Sequence, residues 1–181
     1  MFFEISMKRL IVLQPKHLYT QQCEFLPVLL TQLILEVNKM KCSEDHGFYV
    51  TPTTFKDIGQ GRVRSITGAV AFPVEFNCIV FKPFKGQILE GEVKRVYRSG
   101  CFLSCGPLDD VFLHEAMMSG CRFFQNEGTE SACFKNEDEG FEIRAKTILR
   151  VRLIGVKWVE DQCTFKSLAS INGDYLGLCF V

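Results

Sequence analysis

Apolar residues occupy alternate positions over residues 2–13, with Phe3, Ile5, Met7, Ile11 and Leu13 on one face and Glu4, Ser6 and Lys8 on the other. A two-residue period marks a half-buried strand, and Pro15 ends it. The period then changes. Leu26, Leu30, Leu33, Val37 and Met40 recur at helical spacing, which predicts one amphipathic helix of about four turns. Pro27 suits a first turn, where the N–H it lacks would have no partner, so the helix should start between Glu24 and Leu26. Ser43 to Gly47 reads as a turn, and residues 48–54 and 69–81 as strands. In the second of these Val70, Phe72, Val74, Phe76, Cys78 and Val80 alternate, and Pro73 points to a sheet edge or a bulge. The glycine-punctuated stretch 57–68 joins the two. Strand, helix, then antiparallel strands is a small α+β sandwich.

Lys82-Pro83-Phe84-Lys85-Gly86 forms a hinge, and the texture changes after it. Residues 87–97, 100–105 and 110–114 read as short strands with glycine turns. A long irregular excursion follows over 115–140, and strands at 141–154 and 157–168 close the chain. Five antiparallel strands with an excursion between the third and fourth give the pattern of an OB-type barrel. The expected division is therefore an α+β tip domain over 1–82 and an all-β, five-stranded OB-type barrel over 83–181.

Composition narrows the function. The 181 residues carry 21 Lys plus Arg against 21 Asp plus Glu, so bulk charge does not coat nucleic acid. Hydrophobic residues at 47% are enough for a packed core. The 17 phenylalanines, divided between two small domains, leave aromatic surface to meet a partner. Nine cysteines without a CxxC pair read as free thiols in a reducing compartment. Glu4, Lys8 and Arg9 within the first apolar stretch are unlike a signal peptide. No run reaches the length of a membrane helix.

Candidate chemistry is sparse. Gly59-Gln60-Gly61 lacks the third glycine and the following helix of a phosphate cradle. Its glycines instead allow backbone angles that let a hairpin-like tip project, with Ile58 and Val63 as apolar contacts and Arg62 and Arg64 as charged ones. In the barrel, Cys101, Leu103 and Cys105 point inward and Phe102 outward beside His114, where a base could stack for about 1–3 kcal/mol. The alternative is that Phe102 packs beneath the excursion. Arg144, Lys146, Arg150 and Arg152 share one face of the fourth strand, opposite Ile143, Ala145, Leu149, Val151 and Leu153. Such a stripe is either a phosphate-tracking groove or a solvated face, and the second half holds 12 basic against 14 acidic residues. His114 with Cys101, Cys105, Cys121 and Cys133 has no zinc spacing, so no metal and no cofactor is expected. Asp109 and Asp110 read as turn residues. No nucleophile motif appears, so the expectation is a protein that is not an enzyme.

Certain motifs carry a resemblance. MFFEI at the start, HGF at 46–48, IGQGRVR with TG over 58–68, and FPVEFNCIVFKPFKGQILEGEV over 72–93 resemble the seventh-largest subunit of eukaryotic RNA polymerases, related to the stalk protein of the archaeal polymerase. The likeness spans nearly the whole chain and keeps both domains in order. LASINGDYLG at 168–177 is more similar to the plant paralogues of polymerases IV and V, which serve RNA-directed DNA methylation and silencing. Gly91, Val93, Gly100, Phe102 and His114 also resemble the repeated barrel of the largest ribosomal small-subunit protein, although Ser99 stands where that pattern has an aromatic. The resemblance implies a nuclear, non-catalytic stalk subunit paired with the fourth-largest subunit. It implies docking to the largest subunit and the core through Ile58, Gly59, Gly61 and Arg62. It further implies a position near the RNA exit path, and the outward aromatic and the basic stripe then point to weak contact of nascent RNA with Phe102, His114, Arg144, Lys146, Arg150 and Arg152. The alternatives are a polymerase II stalk subunit, or a freestanding OB-fold RNA-binding factor.

Overall fold

The computed structural model describes residues 1–17, 25–125, 132–136 and 140–179. Two compact units result, one of Phe2–Lys82 and one of Pro83–Val181 with Met1.

In the first unit the alternating opening segment is strand β1 (Phe2–Leu13), followed by helix α1 (Phe25–Lys39) and strands β2 (Cys42–Ser43), β3 (Gly47–Ile58), β4 (Arg62–Val63) and β5 (Val70–Phe81). The antiparallel sheet has the order β1-β5-β3-β2, with β4 also on β5. β1 pairs with β5 without interruption from Phe2↔Phe81 to Leu13↔Val70. This register puts Ile11 and Leu13 on the face that carries Val74, Phe76, Cys78 and Val80, and α1 covers that face with Leu29, Leu33 and Val37. The opposite face is polar: Thr53 Oγ1 donates to Glu4 at 2.7 Å, Lys56 Nζ to Ser6 at 3.1 Å, and Lys8 pairs with Glu75 at 3.0 Å. One dry face and one wet face suit an antiparallel sheet.

Two expectations need correction here. β5 is the central strand, not an edge. Pro73 is tolerated because the partner strand is interrupted beside it: β3 ends its pairing at Ile58↔Val74 and β4 resumes at Arg62↔Ala71. A bond from Gly59 N–H to the Pro73 carbonyl, at 2.8 Å, crosses that gap and uses the proline's acceptor rather than the N–H it lacks. The helix is turned part of the way from the expected side. Leu33 and Val37 are buried as expected, together with Leu29, whereas Leu26 and Leu30 are exposed, as are Ile34 and Leu35. Leu29, Leu33 and Val37 and Leu26, Leu30 and Ile34 both run at i, i+4, i+8, so spacing alone could not choose between the rows. The helix begins at Phe25; Glu24, the other expected start, lies outside the described residues.

The second unit comprises β6 (Ile88–Tyr97), β7 (Gly100–Cys105), β8 (Leu108–His114), β9 (Cys121–Gln125), β10 (Ala132–Asn136), β11 (Phe141–Ile143), β12 (Ile148–Val159), β13 (Thr164–Ser170) and β14 (Gly177–Leu178). Pairings β6–β7, β7–β8, β8–β13, β13–β12 and β12–β6 close a ring of five strands. Its interior holds Val93, Cys101, Leu103, Cys105, Val111, Leu113, Leu149, Val151 and Leu153, all at most 3% exposed. Burial pushes the Cys101 thiol up to about 12 and that of Cys105 to about 11, so both stay protonated and pack as small apolar groups.

The ring is not wholly antiparallel: Ser167, Leu168 and Ala169 run parallel to Val111, Phe112 and Leu113. The excursion at 115–140 is not wholly irregular, since β9 and β10 join β11 in a separate three-stranded sheet. The expected strand at 141–154 is two elements. β11 ends at Ile143, and a turn over residues 144–147 precedes β12, with Thr147 N–H donating to the Arg144 carbonyl at 3.2 Å. Lys146 has φ 72°, which a strand cannot accommodate. β12 runs on through Lys157 to Val159, so β13 starts at Thr164 rather than at 157. In the small sheet Lys135 lies opposite Glu142 and pairs with it at 2.6 Å, while Arg144 engages the same carboxylate. The Lys135 hydrogen bond, foremost, holds the Glu142 carboxyl below its ordinary value.

Two measurements check this packing. In urea denaturation Leu29→Ala should cost about 2–5 kcal/mol and Leu30→Ala within about 0.5 kcal/mol; the reverse order would place the other helix row on the sheet. Because the folded Glu142 carboxyl is depressed, its contribution is full above the ordinary carboxylate range and is lost as pH falls through the folded value. The wild-type melting temperature should therefore fall further than that of Glu142→Gln between about pH 6 and about pH 3, and parallel curves would contradict the pairing.

Candidate functional site

In the first unit, the link between β3 and β5 forms a narrow tip. Val63 pairs with Val70, and Arg64 N–H donates to the Ala69 carbonyl at 2.8 Å. A turn over 65–67 then caps the tip, and the Gly68 N–H returns to the Arg64 carbonyl at 2.8 Å. Val63 is 70% exposed and Ile66 97% exposed, a large apolar display for so short a segment. Arg62 and Arg64 are exposed beside them. Ile58 instead packs against the unit's core, so it anchors the base of the tip rather than its end.

The glycines act differently from the expectation. A Cβ at Gly59 would stand 2.6 Å from the Pro73 ring, and one at Gly61 2.5 Å from the Phe72 ring. Close approach to β5, not unusual backbone angles, demands glycine at these two positions. Only Gly68, at φ +66°, needs the left-handed region. Sequence reasoning missed Ile66; an isolated isoleucine between Ser65 and Thr67 has no periodic partner to flag it.

On the barrel, Phe102 lies outward and half-buried, as alternation along β7 requires. Phe112 stands directly opposite it on β8. The four rings form a chain: Tyr97 to Phe102 at 5.9 Å, Phe102 to Phe112 at 4.9 Å, and Phe112 to His114 at 6.0 Å. Phe102 therefore packs between aromatics of β6 and β8. His114 is exposed, and its Nδ1 accepts the Ala116 N–H at 3.1 Å, capping the short helical turn Glu115–Met117. Tyr97 and Phe112 were not foreseen, because only strand pairing brings them to Phe102.

The expected basic stripe divides. Arg144 and Lys146 sit on the turn over 144–147, while Arg150 and Arg152 sit on β12, so the four do not share one strand face. Arg144 pairs with Glu142, and Arg150 with Glu90 across the β12–β6 ladder at 2.7 Å. Asp109, expected in a turn, belongs to β8 together with Asp110, and it accepts the Ser104 hydroxyl at 2.6 Å. Among the described residues no group of three or more His, Cys, Asp or Glu could hold a metal ion, and no helix is long and apolar enough to cross a membrane.

No protein-family model matches the chain. Individual proteins do. The chain is 34% identical over 177 residues to DNA-directed RNA polymerase V subunit 7 of Arabidopsis thaliana, which covers 98% of this chain and 97% of that protein. It is 36% identical over 151 residues to polymerase IV subunit 7 of the same plant, covering 82% and 83%. It is 32% identical over 178 residues to polymerase II subunit RPB7 of Glycine max, covering 98% and 96%. At 98% of the chain, the first and third alignments span both units. The chain belongs to the subunit 7 family of DNA-directed RNA polymerases, whose members are accessory, non-catalytic stalk subunits.

Proposed function

We propose that the chain serves polymerase IV or V in the nucleus, as a stalk subunit acting in RNA-directed DNA methylation and silencing. The observation that carries this is the alignment with polymerase V subunit 7, which leaves only 2% of this chain uncovered. Polymerase II is the second reading, favoured by 32% identity over a similar span. Family membership leaves the freestanding RNA-binding factor without support.

The work divides between the units. The first, residues 1–82, docks to the largest subunit and core through its tip, with Arg62, Val63 and Ile66 at the contact and Ile58, Gly59 and Gly61 holding the tip on the sheet. A display of Val63 and Ile66 to water gains from burial in a partner at about 25 cal/mol per Å². The exposed α1 row and the exposed Phe2, Phe3 and Leu10 of β1 suit the companion fourth-largest subunit. The second unit, residues 83–181, is an OB-type barrel: the order β6-β7-β8-β13-β12, closed on β6, with the insertion β9–β11 between β8 and β12 in the chain, supports that reading. Its outward surface, including Phe102, His114, Lys146 and Arg152, contacts nascent RNA weakly. Weak contacts at several points let a transcript slide.

Affinity purification of the tagged chain with mass spectrometry tests the assignment. The largest subunit of polymerase IV or V should be recovered; recovery of the polymerase II largest subunit alone would overturn it. Arg62→Glu with Ile66→Asp should reduce recovery of core subunits at least about tenfold while the companion stays bound. Undiminished core recovery would refute docking through the tip.

A further inference from the structure

Two depressions flank Phe102 on the barrel. One, of about 440 Å³, is lined by Lys94, Arg95, Tyr97, Phe102, Asp109 and Asp110. The other, of about 490 Å³, lies among Phe102, Asp110, Phe112, Lys157, Lys166 and Leu168. Both volumes fall within the range of small-ligand sites. The two meet at Phe102 and Asp110, which line both, so they form one saddle with an aromatic ring and a carboxylate at its crest.

The charges around this saddle differ from those of the arginine stripe. Arg144 and Arg150 are neutralised by Glu142 and Glu90, so a phosphate must compete with carboxylates already in place. Among the described residues Arg95, Lys157 and Lys166 make no ion pair. They stand on either side of the aromatic crest, Arg95 in one depression and the two lysines in the other. Aromatic faces between unpaired cations match a single strand, whose bases stack and whose phosphates are neutralised. Asp110 adds a selective element. A carboxylate accepts hydrogen bonds and donates none, so it favours a base edge with an exocyclic amino group. Cytosine offers that group at N4; uracil carries at the same position a carbonyl oxygen that the carboxylate repels, and its one edge donor is the N3–H set between two carbonyl oxygens.

We propose that the Phe102 saddle holds two successive nucleotides of single-stranded RNA, one in each depression, and that Asp110 selects amino-bearing bases such as cytosine over uracil. This deepens the reading of the barrel as an RNA contact and rests on it.

Fluorescence anisotropy at low salt, with the full chain bound to its companion subunit, tests the proposal using labelled eight-nucleotide oligo(C) and oligo(U). Oligo(C) should bind about three- to tenfold more tightly, and Asp110→Asn, which restores a donor, should abolish that difference. Lys157→Glu with Lys166→Glu should weaken the two oligonucleotides equally, by at least about fivefold. Arg150→Ala, which removes a guanidinium already paired with Glu90, should change either affinity less than about twofold. Equal binding of the two oligonucleotides that Asp110→Asn leaves unchanged would overturn the selection. A loss confined to the Arg150 variant would place RNA on the stripe, refuting the saddle while the RNA contact stands. Binding of neither oligonucleotide by the wild type would refute both.

Discussion

Closure of the five-stranded ring is the constraint on which the second unit depends. Three residues of β13, Ser167 to Ala169, run parallel to Val111–Leu113 of β8 and join the last strand to the third. A closed ring leaves no strand edge unpaired around the barrel. It also fixes which side of every strand faces inward, because a one-residue slip would exchange the two faces. With Val93, Leu103, Val111, Leu149 and Val151 committed to the interior, the intervening positions are free to carry other chemistry. Phe102 and Phe112 are such positions, set opposite each other by the β7–β8 register. The aromatic face is thus a consequence of packing inside the barrel, and so is the saddle beside it.

In the first unit a single helix covers a single face of a sheet, and the arrangement cannot bury everything apolar. Helix α1 has two leucine-rich rows; one packs on Val74, Phe76 and Cys78, and the other faces outward. The opposite sheet face is occupied by Glu4, Thr53, Lys56 and Glu75, joined by hydrogen bonds and an ion pair. Apolar exposure is therefore concentrated on the helix, on parts of β1 and at the tip. An accessory subunit of a large enzyme can keep such surfaces where partners cover them.

Period-two patterns were legible where both faces have distinct environments. β5 and β7 alternate along their length, and their buried residues follow from the sequence; in β1 the pattern located buried Ile11 and Leu13 but put Phe3, which is exposed, on the same face. The break at 144–147 was not legible. Ile143, Ala145 and Leu149 keep to alternate positions, with only Thr147 between, so the pattern passes through a turn whose left-handed residue is a lysine. Helix orientation was hidden for a related reason, since Leu26 and Leu29 begin equally regular rows. At the candidate sites Phe102, His114, Arg62 and Ile58 could be singled out from local pattern and resemblance. Tyr97, Phe112, Lys157 and Lys166 were not, because their nearness to Phe102 arises only from pairing between strands distant in the chain. The tip glycines were found for the wrong reason: the rings of Phe72 and Pro73 require them, and those contacts form only when β5 is in place.

A density map of the polymerase carrying this chain and a nascent transcript tests the division of labour most directly. Ile66 should lie buried against the core, and the outward rings of Phe102 and Phe112 should face the transcript. A map with the tip in solvent, or with the Phe102 face sealed beneath another protein subunit, would contradict that division.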